Sequence, residues 1–237
     1  MVFLVAGDAN ADVSAALSRF PHEGDDSPLL GLGWTSGGSA ANVATAIARM
    51  GARARLVARV GVDPAAEVAL RAARAAGVDL ATVQEDEAIA TGLCFAAISP
   101  GGERTFFSYR GANVALAPGD VEATFREARW LHVGGHALIE GAQREAALAL
   151  IAEAGRRNVP VSLDLCLPLL RAAPGVVIDL GAAPPCADRK SARDPDLRER
   201  ARHRPAVRRS VRRLRADPRG SASDRAPLRR DDRREAR

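Results

Sequence analysis

Lysine is nearly absent from this chain: Lys190 stands alone among 34 basic residues, and the rest are arginine. Aromatic residues are also scarce, at 4% with a single tyrosine. Three cysteines, Cys94, Cys166 and Cys186, make an odd number with no paired spacing. That excludes a disulfide framework and points to a reducing cytoplasm. The four histidines, His22, His132, His136 and His203, are scattered and form no Cys/His metal pattern. No apolar run reaches the roughly 20 residues a membrane span needs. The N-terminal run Val2 to Ala6 stops at Gly7-Asp8 and has no basic segment before it, so it does not read as a signal peptide. These absences leave a soluble, cytoplasmic protein as the expectation.

What is present divides into two parts. The chain has 237 residues, 47% of them hydrophobic, enough for one large α/β domain or two small ones. Residues 181–237 hold 19 basic and 9 acidic residues, whereas residues 1–180 hold 15 basic and 20 acidic. The sequence pI near 10.0 therefore belongs to the C-terminal part.

The most informative stretch runs from Ser36 to Gly61. Gly37 and Gly38 tolerate backbone angles closed to other residues and let a ligand approach the main chain. Ser39 is placed as a helix N-cap, Ala40 to Met50 is rich in helix formers, and Gly51 is placed to end the helix in the left-handed conformation. Asn42 then falls in the first turn, where its amide can donate and accept toward whatever lies above the glycines. Arg55 to Val60 reads as a short strand closed by Gly61.

Elsewhere the pattern alternates strand and helix. Val2 to Ala6 reads as a strand buried on both faces, followed by the polar run Gly7-Asp8-Ala9-Asn10-Ala11-Asp12, where open α/β sheets bind ligands. Asp63-Pro64 opens a packing helix that ends at Gly77. Gly92 to Arg110 reads as a hairpin turning at Pro100-Gly101-Gly102. Trp130 to Val133 and Val159 to Leu165 read as strands flanking a helix over Gln143 to Arg156. Successive βαβ units predict a doubly wound, mostly parallel sheet with right-handed crossovers.

The spacing of Gly37-Gly38, Asn42, Ala44, Gly51 and Gly61 resembles the first signature of the ribokinase-like (PfkB) carbohydrate kinases. The resemblance implies an α/β ribokinase-like fold with a small β lid, set here at residues 80–112 within a domain ending near residue 175. It implies transfer of the ATP γ-phosphate to a sugar hydroxyl, with ATP and Mg2+ as cofactors. It assigns sugar contacts to Asn10, Asp12 and Asn42 and lid flexing to Gly37 and Gly38. The hairpin aromatics Phe95, Phe106, Phe107 and Tyr109 read as apolar faces of an edge sheet or a lid-to-lid homodimer contact. Tyr109-Arg110 is similar to a pair in the ketodeoxygluconate kinase branch, where it helps hold a sugar acid; the second arginine of that branch falls here on Pro168. Asp164 matches the family's Asp-x-Asn-x-Arg, but Cys166 and Pro168 replace its Asn and Arg.

Beyond about Ala172 the alternation ceases. Residues 176–237 read as an Arg-rich tail whose Arg, Ala, Pro, Asp and Ser mixture is what a GC-rich gene yields in the wrong frame. A nucleic-acid-binding arm is the rival reading, opposed by Asp194, Asp196, Glu199, Asp217, Asp231 and Asp232 and by the lack of aromatic residues. The family's Gly-Ala-Gly-Asp, which binds phosphates and supplies the catalytic base, does not occur, nor does its Asn-x-x-Glu after the last strand. The expectation is a sugar kinase incomplete at its C-terminus and inactive by itself. Alternatives are a ketodeoxygluconate or nucleoside kinase, or a non-catalytic sugar-binding protein.

Overall fold

The computed structural model describes residues 1–177. Its centre is β1 (Val2–Ala6), whose Leu4 and Val5 are fully buried on opposite faces. β1 lies between β4 (Arg53–Val57) and β9 (Ala128–Val133), and β10 (Val161–Leu163) continues the sheet; all pairings are parallel. A strand with neighbours and a covering layer on each face must be apolar on both sides, which is why β1 reads as a continuous hydrophobic run.

Helix α1 (Ser39–Arg49) covers one face through Ala40, Ala41 and Ala44, whose small side chains bring its backbone close to Val5 and Leu56. Gly51, with φ of 85°, ends it. Helix α4 (Gly141–Arg156) covers the other face, packing Ala146, Ala147 and Leu150 with Leu4, Leu131 and Val133. Helix α2 (Pro64–Ala75) begins as read: the Asp63 carboxylate accepts from the Ala66 amide at 3.0 Å, and Pro64 occupies the first turn.

A second four-stranded sheet has the order β3-β2-β7-β8. The hairpin β7 (Gly92–Ile98) and β8 (Arg104–Tyr109) forms as read from the sequence. Its partners come from a stretch not read as sheet: β2 (Asn10–Leu17) pairs parallel with β7, and β3 (Leu29–Gly37) pairs antiparallel with β2. The lid assigned to residues 80–112 is therefore only half of this sheet. β2 alternates buried Ala11, Val13, Ala15 and Leu17 with partly buried Asn10, Asp12 and Ser14, the two-residue period of a strand with one covered face.

Two local readings differ from the structure. The strand expected from Arg55 to Val60 breaks at Ala58: β4 stays in the central sheet, while β5 (Arg59–Gly61) pairs with β6 (Gln84–Asp86), drawn aside by the Arg59–Asp86 ion pair at 2.8 Å. Gly38, not Ser39, is the N-cap of α1, with φ of 87°. A Cβ there would lie 2.4 Å from the Asp8 carbonyl oxygen, so the chain passes too close to β1 for any other residue. The Arg-rich tail lies outside the described residues.

Candidate functional site

The site is assembled where the chain passes between the two sheets. Asp12 sits on β2 opposite Thr35 of β3 and Cys94 of β7. Its carboxylate leans across the strand over Gly37, where an added Cβ would meet the carboxyl carbon at 2.1 Å. Gly37 is thus the space that Asp12 occupies. Burial holds the Asp12 carboxyl above its ordinary range, and no side-chain donor among the described residues offsets this. A partly buried acceptor of this kind gains most from donors that a ligand brings.

Asn10 lies two residues earlier on the same face of β2, so the two side chains are separated by about 7 Å of strand. Its amide orientation follows from a chain of bonds. The Ala9 amide donates to Asn113 Oδ1 at 3.0 Å, so Asn113 Nδ2 is the donor to Asn10 Oδ1 at 2.7 Å and to the Arg110 carbonyl at 2.9 Å. Asn10 is left with its NH2 as its free end. The site thus presents donors from Asn10 and acceptors from Asp12. Asn113, fully buried, received no role from the sequence, although it closes the Arg110-Gly111-Ala112-Asn113 run noted there.

Arg110 is engaged within the protein through Nη2, while its buried Nε has no hydrogen-bond partner among the described residues. Its Nη2 donates to Gln143 Oε1 at 2.6 Å, Asp8 Oδ1 at 3.2 Å and the His136 carbonyl at 3.2 Å, and Gln143 Nε2 donates to Asp8 Oδ1 at 2.8 Å. Asp8 and Gln143 are both buried. This triangle joins the exit of β1, the end of β8 and the first turns of α4. In the sequence Asp8 read only as part of the polar run after β1 and Gln143 only as the start of a helix, because their nearness to Arg110 is a product of long-range packing.

Asn42 lies away from this cluster. Ala40, Ala41 and Ala44 turn one face of α1 to the sheet, and at 100° per residue Asn42 lies on the opposite stripe with Ala46 and Arg49. There it lines an open groove with Thr35 and Ser36 of β3 and Arg71, Ala72 and Ala75 of α2; Asn10 and Asp12 are not part of that lining. Ser36 closes one side by donating to the Val68 carbonyl at 2.7 Å and accepting from the Ala72 amide at 3.0 Å, inserting its hydroxyl into the α2 ladder.

His132 pairs with Ser162 at 2.9 Å across β9 and β10, and burial pushes its imidazole below the ordinary histidine range despite nearby Asp164. Burial likewise raises the Cys94 thiol, with the Asp12 carboxylate beside it acting in the same direction.

The pfkB family carbohydrate kinase model matches residues 3–177. The chain belongs to this family. Over 161 residues it is 30% identical to the ATP-dependent ribose-1-phosphate kinase of Halopiger xanaduensis, covering 68% of this chain and 53% of that protein. It is 32% identical over 133 residues to a 5-dehydro-2-deoxygluconokinase of Geobacillus thermodenitrificans, covering 54% of this chain and 40% of that one. The fold resembles Arabidopsis thaliana ribokinase, solved with ribose and ATP, at a TM-score of 0.59 and 25% identity over 69% of this chain and 53% of that one. The chain spans about half the length of the curated relatives it matches.

Nucleotide-bound structures occur among the pfkB relatives, so ATP belongs to the chemistry of the family. The amino end of α1 is pressed against Asp8, whose carbonyl accepts from the Ala41 amide at 3.2 Å, and that of α2 is filled by the Asp63 carboxylate. Neither end is free to cradle a phosphate. No group of three or more His, Cys, Asp and Glu side chains suited to a metal ion occurs among the described residues.

Proposed function

We propose that residues 1–175 are the sugar-binding part of an ATP-dependent carbohydrate kinase, and that this 237-residue chain by itself binds sugar without transferring phosphate. The observation that carries the reading is the Asn10–Asp12 pair: a donor and a half-buried acceptor on one face of β2, the first oriented by Asn113 and the second fitted over Gly37. Adjacent hydroxyls of a sugar can accept from the first and donate to the second. Gly38, at the start of α1, lets the chain between β3 and α1 pass β1 closely, and Asn42 adds a further polar group on the groove side of that helix. Arg110 enters this reading as a structural cation, which favours a sugar or sugar phosphate over a sugar acid held by Tyr109-Arg110.

The family match stops at residue 177, close to where the sequence changes character, which supports an out-of-frame tail over a nucleic-acid-binding arm. Leu30, Leu32, Trp34, Phe106, Phe107 and Tyr109 of the second sheet are all exposed, and they favour a homodimer formed through that sheet. Sedimentation of the purified chain tests this, and a monomer at all concentrations would refute it. No helix among the described residues is long and apolar enough to cross a membrane.

Titration calorimetry of the full chain against ribose, fructose and ATP tests the main reading. The expected result is saturable binding of a sugar, weakened about 5- to 150-fold in Asp12→Ala by loss of hydrogen bonds of about 1 to 3 kcal/mol. Equal binding by the parent and Asp12→Ala would remove Asp12 from the site.

A further inference from the structure

A pocket of about 200 Å³ opens beside β4, on the α4 face of the central sheet. Val57 at the end of β4, with Ala146 and Leu150 of α4, forms its buried floor. One wall is the segment from Ala81 to Gln84, which leads into β6; the other is the segment from Ala117 into the short helix α3 (Val121–Phe125). None of Asn10, Asp12, Asn42 and Arg110 lines it, so it is separate from the proposed sugar site.

The polar groups of these walls are engaged inside the protein. Gln84 Nε2 donates to the Ala117 carbonyl at 2.7 Å and its Oε1 accepts from the Ala117 amide at 3.1 Å, which ties one wall to the other. The Thr82 hydroxyl donates to the Leu56 carbonyl at 2.7 Å, and the Thr124 hydroxyl to the Asp120 carbonyl at 2.7 Å. Water in the pocket would find few partners, and a space of that kind favours an apolar guest. Its size is close to the roughly 150 Å³ of a cavity that admits benzene and below the roughly 300 Å³ at which pockets for larger ligands begin. The guest is therefore a single ring or a short branched chain and not a nucleotide.

Asp120 is the one ionisable residue in the lining. It is exposed at the rim, where Oδ1 accepts from the Ala123 amide at 3.1 Å as the cap of α3, and its carboxylate enters no ion pair among the described residues. Glu122, two residues on, is by contrast paired with Arg157 at 2.7 Å. We propose that this pocket is a binding site for a small apolar amine, with its hydrocarbon seated on Val57 and Leu150 and its ammonium group at the rim against Asp120. No Lys, Arg or His lines the space to compete for that carboxylate.

The test is calorimetric titration and thermal unfolding of the full chain at pH 7 with benzylamine and benzyl alcohol, which differ in charge and little in shape. Benzylamine is expected to bind saturably and to raise Tm with concentration, as a ligand of the folded state does. It should bind about two- to fivefold tighter than benzyl alcohol, the increment of an exposed ion pair. Asp120→Asn keeps a good N-cap and should erase that difference while leaving benzyl alcohol unchanged. Ala149→Leu, at the exposed rim, should fold as the parent does and block both probes. Equal binding of the two probes by the parent would overturn the role of the charge. Binding of neither would identify a gap in packing only and overturn the site, and binding undiminished in Ala149→Leu would place the probes elsewhere and refute the assignment. Ribose enters none of these outcomes, so the sugar site stands or falls separately.

Discussion

Replacing Arg110 with alanine should destabilise the protein by about 3 kcal/mol, and the structure indicates how. The substitution removes three contacts made by one nitrogen: Gln143 Oε1 at 2.6 Å, Asp8 Oδ1 at 3.2 Å and the His136 carbonyl at 3.2 Å. Asp8 is only 5% exposed and Gln143 is fully enclosed, so neither can turn to water for a replacement. Removing one partner of a buried ion pair costs about 3 to 5 kcal/mol. The low end applies here, because Gln143 Nε2 keeps its 2.8 Å bond to Asp8. For a domain of this size that corresponds to a fall in Tm of about 6 to 12 °C. Arg110→Lys should recover the charge but not the bonds to three acceptors, and should melt between the two. Thermal unfolding followed by circular dichroism measures this directly. If Arg110 were instead held in reserve for a ligand's carboxylate, Arg110→Ala would melt with or above the parent, as residues kept for binding often do when removed. That result would refute the buried-network argument and return the sugar-acid reading to first place.

Asp12→Asn should raise Tm at pH 7, because burial raises the folded carboxyl above its unfolded value. Such a group favours the fold at low pH and loses that contribution as pH rises through its folded pKa, so the advantage of Asn should vanish as pH falls through the carboxylate range; a pH-independent gain would disprove the cause. Asp63→Ala should cost about 1 to 2 kcal/mol as a lost N-cap. Burial pushes Asp63 upward, but its bonds from Thr91 and Ala66 outweigh this and hold it below the usual range, so its stabilising contribution should fade as pH falls, read from denaturant melts at pH 7 and pH 3. Gly37→Ala should abolish sugar binding by driving a Cβ into the Asp12 carboxylate, while Gly33→Ala, whose Cβ would meet Ser14 Oγ at 3.2 Å, should be much milder. Shifting the reading frame of the coding DNA between the codons for Leu170 and Gly181 should restore alternating strands and helices, then an Asn-x-x-Glu and a Gly-Ala-Gly-Asp. Their absence from both other frames would favour a genuine basic arm.

Elements that depend on neighbours in the chain were legible in the sequence. The apolar run of β1, the Asp63-Pro64 start of α2, the glycine stop of α1 at Gly51 and the β7–β8 hairpin all follow from local periodicity and backbone permissiveness, which need no distant partner. The glycine pair was legible for the same reason, since only glycine tolerates the contacts made at Gly37 and Gly38. Side-chain direction and long-range pairing were not. β2 was not read as a strand, although Asn10, Asp12 and Ser14 alternate with Ala11, Val13 and Ala15; which strands it pairs with is set only in the folded chain, by β3 and β7. Arg110 was read from Tyr109-Arg110 alone, because Asp8 and Gln143, 102 and 33 residues away in sequence, reach it only in the folded chain. Asn42 sat in the expected turn, but which way it faced depended on which stripe of α1 the alanines buried, and the same packing placed Arg49 and Arg71 on one groove. Local sequence determines where the backbone turns and what it can tolerate; which polar groups meet is decided by burial, because only enclosure makes an unmatched charge or amide costly enough to select its partner.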